Sequence, residues 1–189
     1  MLKTLVRCIL TTSILATALP GGSQEIVHAL TGTVSAVSNT DKTITLFQDN
    51  GSKGVFKIMS SSGTRLSFDK KVAVETTAAR DFEKAGAYVI LFYIGNEDSR
   101  TAVAVKALGA GPFSSTTGEV TRWNGRDHTI SLKGEDGSEH SFKIGPQTIG
   151  ETYVGVVEGL KFDVDKGDQV RLVSSTENGN PTVLFIRQK

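Results

Sequence analysis

Cysteine occurs once, at Cys8, in a chain of 189 residues. An intramolecular disulfide is therefore excluded, and so is a zinc site built from cysteines. Proline is scarce, four residues against twenty glycines, which excludes a proline-rich linker protein and points to many tight turns. Charge has no dominant sign: 21 basic and 20 acidic residues leave a net charge of +1. There is thus no electrostatic basis for expecting nucleic acid or an acidic membrane surface as a partner. Catalytic signatures are also missing. The chain has no Gly-x-Ser-x-Gly elbow, no phosphate loop ending in Gly-Lys-Ser/Thr and no His-Glu-x-x-His helix. With three histidines and scattered carboxylates, acid–base work would rest on carboxylates alone, so the expectation is a protein that is not an enzyme and uses no cofactor.

What is present begins with a targeting segment. Lys3 and Arg7 precede an apolar run from Cys8 to Leu19, closed by Pro20-Gly21. This is the layout of a secretory signal peptide, and about 20 residues would be needed to span a bilayer. Small-residue cleavage sites follow Ala18 and Ala29. Ala29 is preferred because the first repeat begins directly after it, giving a signal peptide over 1–29. The mature chain would then be exported, periplasmic or extracellular, with no transmembrane segment and no cysteine.

The strongest feature is an internal repeat. Residues 30–58 and 116–144 share 12 of 29 positions without a gap, among them Gly32/Gly118, Val34/Val120, Asp41/Asp127, Ile44/Ile130, Gly51/Gly137 and Phe56/Phe142. Composition alone would give about two matches. The echo resumes with Gly86-x-x-Val89-x-Leu91 against Gly167-x-x-Val170-x-Leu172, and with Thr101 against Thr182. Two units follow, 30–110 and 111–189, divided by the Gly/Pro/Ser-rich stretch 109–115. The first carries ten basic and eight acidic residues, net +2, and the second nine and eleven, net −2.

Within each unit the period is that of strands, Ile44 and Leu46 alternating with threonines as Ile130 and Leu132 flank Ser131. Asn50-Gly51 and Asp136-Gly137 supply hairpin turns. Further strands are expected at 55–58, 88–94 and 101–106, with equivalents at 141–144, 169–173 and 182–187. A short helix is expected over Thr76–Ala85, closed by Gly86, with no counterpart in the second unit. Five strands with an extra element between the third and fourth is the order of the OB-fold, with an SH3-like barrel as the rival. The expected fold is all-β: two tandem five-stranded OB-like Greek-key barrels.

The pattern Gly32-x-Val34-x-x-Val37, Thr43-Ile-Thr-Leu46, Phe56-x-Ile58 and a glycine-led Gly167-Asp-Gln-Val-Arg-Leu172 resembles small exported bacterial OB-like domains of uncharacterised function, which often occur in tandem. It is more distantly similar to the periplasmic copper chaperones built on a small OB barrel. That second resemblance implies a tryptophan and two methionines ahead of the third strand. The corresponding stretches, 49–54 and 135–140, contain neither residue, so the copper motif does not carry over.

Candidate binding residues are few. Trp123 follows Arg122 at the end of a first strand, near the rim where OB-folds hold ligands, and an aromatic there can stack on a sugar or base. The same Trp123 aligns with Val37, which reads as core. His128 and His140 flank a hairpin and would, with Glu139, offer a copper or nickel site, although solvated turn histidines are the commoner outcome. The run Asp163-Val-Asp165-Lys-Gly-Asp168 departs from a calcium loop and reads as a charged turn. Finally, 87–94 (AYVILFYI) is apolar throughout. Val89 and Leu91 should face the barrel interior, leaving Ile90, Phe92 and Ile94 outward as an interface with the second unit, with Val183 and Phe185 as contacts.

The leading expectation is an exported, non-catalytic binding or interaction module for an envelope protein or small ligand. A metal-handling protein using the histidines of the second unit is the alternative. A polynucleotide binder is the third, opposed by the charge.

Overall fold

The computed structural model describes residues 25–60, 66–67, 72, 76–96, 99–177 and 180–189. The basic start and apolar run of the expected signal peptide lie outside the described residues. In chain order the strands are β1 (Glu25–Ile26), β2 (His28–Ser38), β3 (Thr43–Gln48), β4 (Lys53–Ile58), β5 (Leu66–Ser67), β6 (Thr77–Ala78), β7 (Tyr88–Ile94), β8 (Thr101–Ala107), β9 (Phe113–Asn124), β10 (Thr129–Gly134), β11 (Glu139–Thr152), β12 (Gly155–Glu158), β13 (Gln169–Glu177) and β14 (Asn180–Gln188).

Ten of these strands form two closed barrels of one topology, with β6 and β12 added on β8 and β11 and β1 paired separately with β5. In the first, the order β4-β3-β2-β7-β8 is closed by parallel pairing of β4 with β8, Lys57 opposite Thr101 and Ile58 opposite Ala102. In the second, β10, β9, β13, β14 and β11 repeat that order, and β11 pairs in parallel with β14. A first strand between the second and fourth, with parallel closure of the third on the fifth, is the OB arrangement. Closure removes the sheet edges that a small open sheet would expose.

The repeat is visible down to single hydrogen bonds. In the first barrel the Val34 N–H donates to the Ala87 carbonyl at 2.9 Å, and the Gly86 N–H returns to the Val34 carbonyl at 2.8 Å. In the second, the Val120 N–H donates to Asp168 and the Gly167 N–H to Val120, both at 2.8 Å. Gly86 and Gly167 have φ of 80° and 100°, a region that favours glycine, so each strand entry needs its glycine. Each first strand also carries a bulge, at Ser35 and at Thr121, where the register against β3 or β10 shifts. Both bulge hydroxyls donate across the ladder at 3.2 Å, Ser35 to Thr45 and Thr121 to Ser131, which holds the bend that closes the barrel.

The expected helix over Thr76–Ala85 is not formed. Those residues give β6, a single 3-10 turn at Ala79–Asp81, and then extended chain at Phe82. The reason is packing: Ala79 and Phe82 must both enter the core, at 1% and 6% exposure, and one turn achieves that before Gly86. The second barrel, where no helix was expected, builds the same turn at Gly159–Lys161, followed by buried Phe162.

Each barrel has its own core. Val34, Ile44, Leu46, Phe56, Val89, Leu91 and Val105 fill the first, and Val120, Ile130, Leu132, Phe142, Ile144, Val170, Leu172 and Ile186 the second. A third cluster joins the two barrels. Ile90, Phe92 and Val103 from the first pack with Ile149, Val156, Val173 and Phe185 from the second, together with Val27 and Ala29. Ile94 lies half-buried against the same cluster. Val183, expected in this layer, belongs instead to the interior of the second barrel, because the β13–β14 register shifts between Phe185 and Val183 and so turns the two residues to opposite faces. Ile90, Phe92 and Phe185 are fully buried, each contributing about 1.5–3 kcal/mol relative to exposure.

Candidate functional site: the cleft between the barrels

The residues singled out in the sequence do not converge. Arg122 is exposed and opposite Ser131, while Trp123 is partly buried against the core of the second barrel, as Val37 is against the first. His128 sits at a left-handed turn with φ of 51°, matching Lys42 at 53°, and its carbonyl accepts the Ile144 N–H at 2.8 Å as the Lys42 carbonyl accepts that of Ile58. None of the three lines the cleft between the barrels.

His140 stands opposite Leu132, and its Nε2 meets the Ser138 hydroxyl at 2.7 Å. His128 directly precedes Thr129, the last rung of that ladder, so three rungs or more, about 10 Å, separate the two histidines. Among the described residues no three His, Cys, Asp or Glu side chains gather as a metal site. The Asp163–Asp168 run is a stapled turn: Asp168 Oδ2 accepts the Asp165 N–H and the Gln188 amide, both at 3.0 Å.

The two barrels instead enclose a cleft of about 510 Å³. His28, Leu30 and Asp49 line it from the first barrel, and Glu151, Arg171 and Arg187 from the second. Tyr153, largely exposed, stands at its rim and donates its hydroxyl to the Lys189 carbonyl at 2.8 Å.

Asp49 is placed by the β3–β4 turn, whose Gly51 adopts φ of 82°. Its Oδ2 accepts the Thr31 hydroxyl at 2.5 Å, the Tyr88 hydroxyl at 2.7 Å and Arg171 Nη2 in close contact. Thr31 is buried, and the Tyr88 ring stacks on Phe113 with centroids 4.8 Å apart. Burial, followed by the bond to Asp49, raises the Tyr88 pKa well beyond the ordinary tyrosine value, so this hydroxyl stays a donor. Three donors on one oxygen leave the Asp49 charge well compensated.

Glu151 comes from β11 in a stretch without a sequence match in the first unit, and is only 3% exposed. His28 Nδ1 lies 3.2 Å from its Oε1, and Arg187 Nε lies 3.4 Å from its Oε2, which has no hydrogen-bond partner. Burial pushes the carboxyl pKa up, against the opposing pull of Arg187 and His28. The side chains of His28 and Arg187 are 33% and 44% exposed. The two carboxylates of the cleft are therefore covered, while Arg187 and the His28 ring are reachable.

Two of these residues had a signal in the sequence. Arg171 occupies the outward position that is Ile90 in the first unit, and Tyr153-Val154 is an exposed apolar pair at a turn. Glu151 had none, since a lone glutamate in an unmatched stretch looks like any solvated one.

No protein-family model matches this chain, and no curated protein does. Solved structures of CusF are similar to it. Silver-bound CusF is 16% identical, with a TM-score of 0.33, over 41% of this chain and 99% of that one. Apo-CusF from Escherichia coli is 16% identical, with a TM-score of 0.34, over 44% of this chain and 94% of that one.

Proposed function

We propose that this chain is an exported, non-catalytic binding module whose ligand seat is the cleft between its two barrels. The observation that carries the reading is that the cleft is lined by polar side chains of both barrels, so that neither barrel forms it alone. Its volume lies in the range of small-molecule sites. The two barrels are joined by an apolar layer, which gives the seat fixed walls. Export is supported by the basic start and the apolar run of the first residues. A metal-handling role through His128 and His140 has less support, because the hairpin register holds them apart.

The test is a crystallographic fragment soak of the chain from Leu19 to Lys189. Fragments should cluster against His28, Glu151 and Arg187. Fragments that collect only on the outer face of β3 and β4, or copper bound between His128 and His140, would overturn the assignment of the seat.

A further inference from the structure

We propose that the cleft takes a small organic anion, whose carboxylate or phosphate group is held by the Arg187 guanidinium beside the His28 ring. This rests on reading the cleft as the ligand seat and names the class of ligand it would hold.

The argument starts from which charges are reachable. Arg171, Arg187 and Lys189 line the cleft against two carboxylates, Asp49 and Glu151. Asp49 Oδ2 already accepts from Thr31, Tyr88 and Arg171, and Glu151 is 3% exposed. Arg187 and His28 remain open to the cleft on their outer sides. A ligand entering there meets the Arg187 guanidinium first. An ammonium or a metal ion would meet the same guanidinium and be repelled.

The second step is positioning. Glu151 touches His28 at Nδ1 and Arg187 at Nε, the inner atoms of both groups. Glu151 at Nδ1 fixes the orientation of the His28 ring at the wall of the cleft. Contact through Nε leaves the two Nη groups of Arg187, four N–H donors, for another partner. A guanidinium presents such donors in the planar fork that matches a carboxylate or phosphate. Glu151 is thus a positioning residue, a buried carboxylate that holds the Arg187 guanidinium of one barrel beside the His28 ring of the other. Leu30 and the Tyr153 ring supply apolar surface for the body of the ligand.

The test uses four probes that share a phenyl body: benzoate, phenyl phosphate, benzyl alcohol and benzylamine. Each is titrated into the chain from Leu19 to Lys189 and followed by the NMR signals of the His28 ring and the Arg187 side chain. At least one anion should bind saturably, with a Kd of about 1 mM or tighter. Benzyl alcohol should bind at least about tenfold more weakly, and benzylamine not measurably. Benzoate alone would assign a carboxylate ligand, and phenyl phosphate alone a phosphate.

Arg187→Gln should weaken anion binding about tenfold, and Arg187→Lys by less, each with circular dichroism unchanged. Glu151→Gln should weaken it too and should shift the His28 ring signals of the free protein, with circular dichroism unchanged. Benzyl alcohol or benzylamine binding as well as the anions would overturn the inference and leave the cleft as a ligand seat. No probe binding at about 20 mM would overturn both. Anion binding unaffected by Arg187→Gln would place the anion elsewhere and overturn the inference alone.

Discussion

Arg171 of the second barrel reaches across the cleft to the carboxylate of Asp49 in the first, 122 residues away, where Thr31 and Tyr88 already donate to the same oxygen. The pair is largely shielded from solvent, at 17% and 14% side-chain exposure, so it differs from an ordinary surface ion pair. It locks the polar side of a joint whose other side is apolar.

The first prediction concerns that lock. Arg171→Ala leaves a shielded carboxylate with hydroxyl donors only, and should destabilise the chain by about 2–3 kcal/mol. Asp49→Asn should cost a similar amount. The double variant should cost less than the sum, because the two losses are one interaction. Urea unfolding of the four proteins gives the coupling, and additive losses would show the pair to be idle.

The apolar side carries the second prediction. Phe185→Ala removes a fully buried ring from the layer between the barrels and should cost about 3–5 kcal/mol. Phe92→Asp should be worse, since it buries an unpaired charge. If the layer couples the barrels, the intact chain unfolds in one transition in calorimetry, and Phe185→Ala splits it into two. Residues 30–110 expressed alone should bind a hydrophobic dye through the face carrying Ile90 and Phe92.

Much of this joint was legible in the sequence, and the reasons are physical. A strand with apolar residues at every position must bury both faces, so Ile90 and Phe92 were readable from alternation alone. The doubling of the barrel followed from the repeat, because turn glycines such as Gly86 and Gly167 recur where the backbone needs a positive φ, while the choice of the OB over the SH3-like topology comes from the strand pairing. The turn at Ala79–Asp81 was misread as a helix because alanine, arginine and glutamate favour helices locally, while the requirement that Phe82 enter the core overrides them. Its twin at Gly159 was missed because glycine hides the likeness. There a Cβ would lie 2.4 Å from that of Thr148, so only glycine fits. Polar partners such as Arg171–Asp49 and His28–Glu151 depend on how two barrels dock, which no local pattern encodes.

Glu151 gives a prediction in pH. Burial raises its pKa above the ordinary carboxylate value of 4.5, so the folded protein holds that proton more tightly than the unfolded chain. This contribution to stability is fully present below about pH 4.5 and is lost as pH rises through the higher folded value. Glu151→Gln removes this dependence. Its melting temperature relative to the natural chain should therefore be more favourable near neutrality than near pH 4. Equal differences at both pH values would show that Arg187 and His28 fully offset the burial.

The last prediction concerns the start of the mature protein. The repeat makes Ala29 an attractive cleavage site, yet β2 begins at His28, with Ala29 opposite Phe92 and His28 opposite Tyr93. Val27 and Ala29 are both fully buried in the layer between the barrels. The Val27 carbonyl accepts the Val156 N–H at 3.0 Å, a backbone bond between the two units. A chain starting at Leu30 would lose the Val27 side chain, worth about 1.5–3 kcal/mol, and leave Val156 unpaired. It would also lose His28 and uncover Glu151. A cut after Ala18 keeps all of these residues, and we therefore expect the exported protein to begin at Leu19. Intact-mass measurement on material recovered from the host envelope distinguishes the two ends directly. A chain beginning at Leu30 that melts at the same temperature as one beginning at Leu19 would show that this edge of the joint carries no stability.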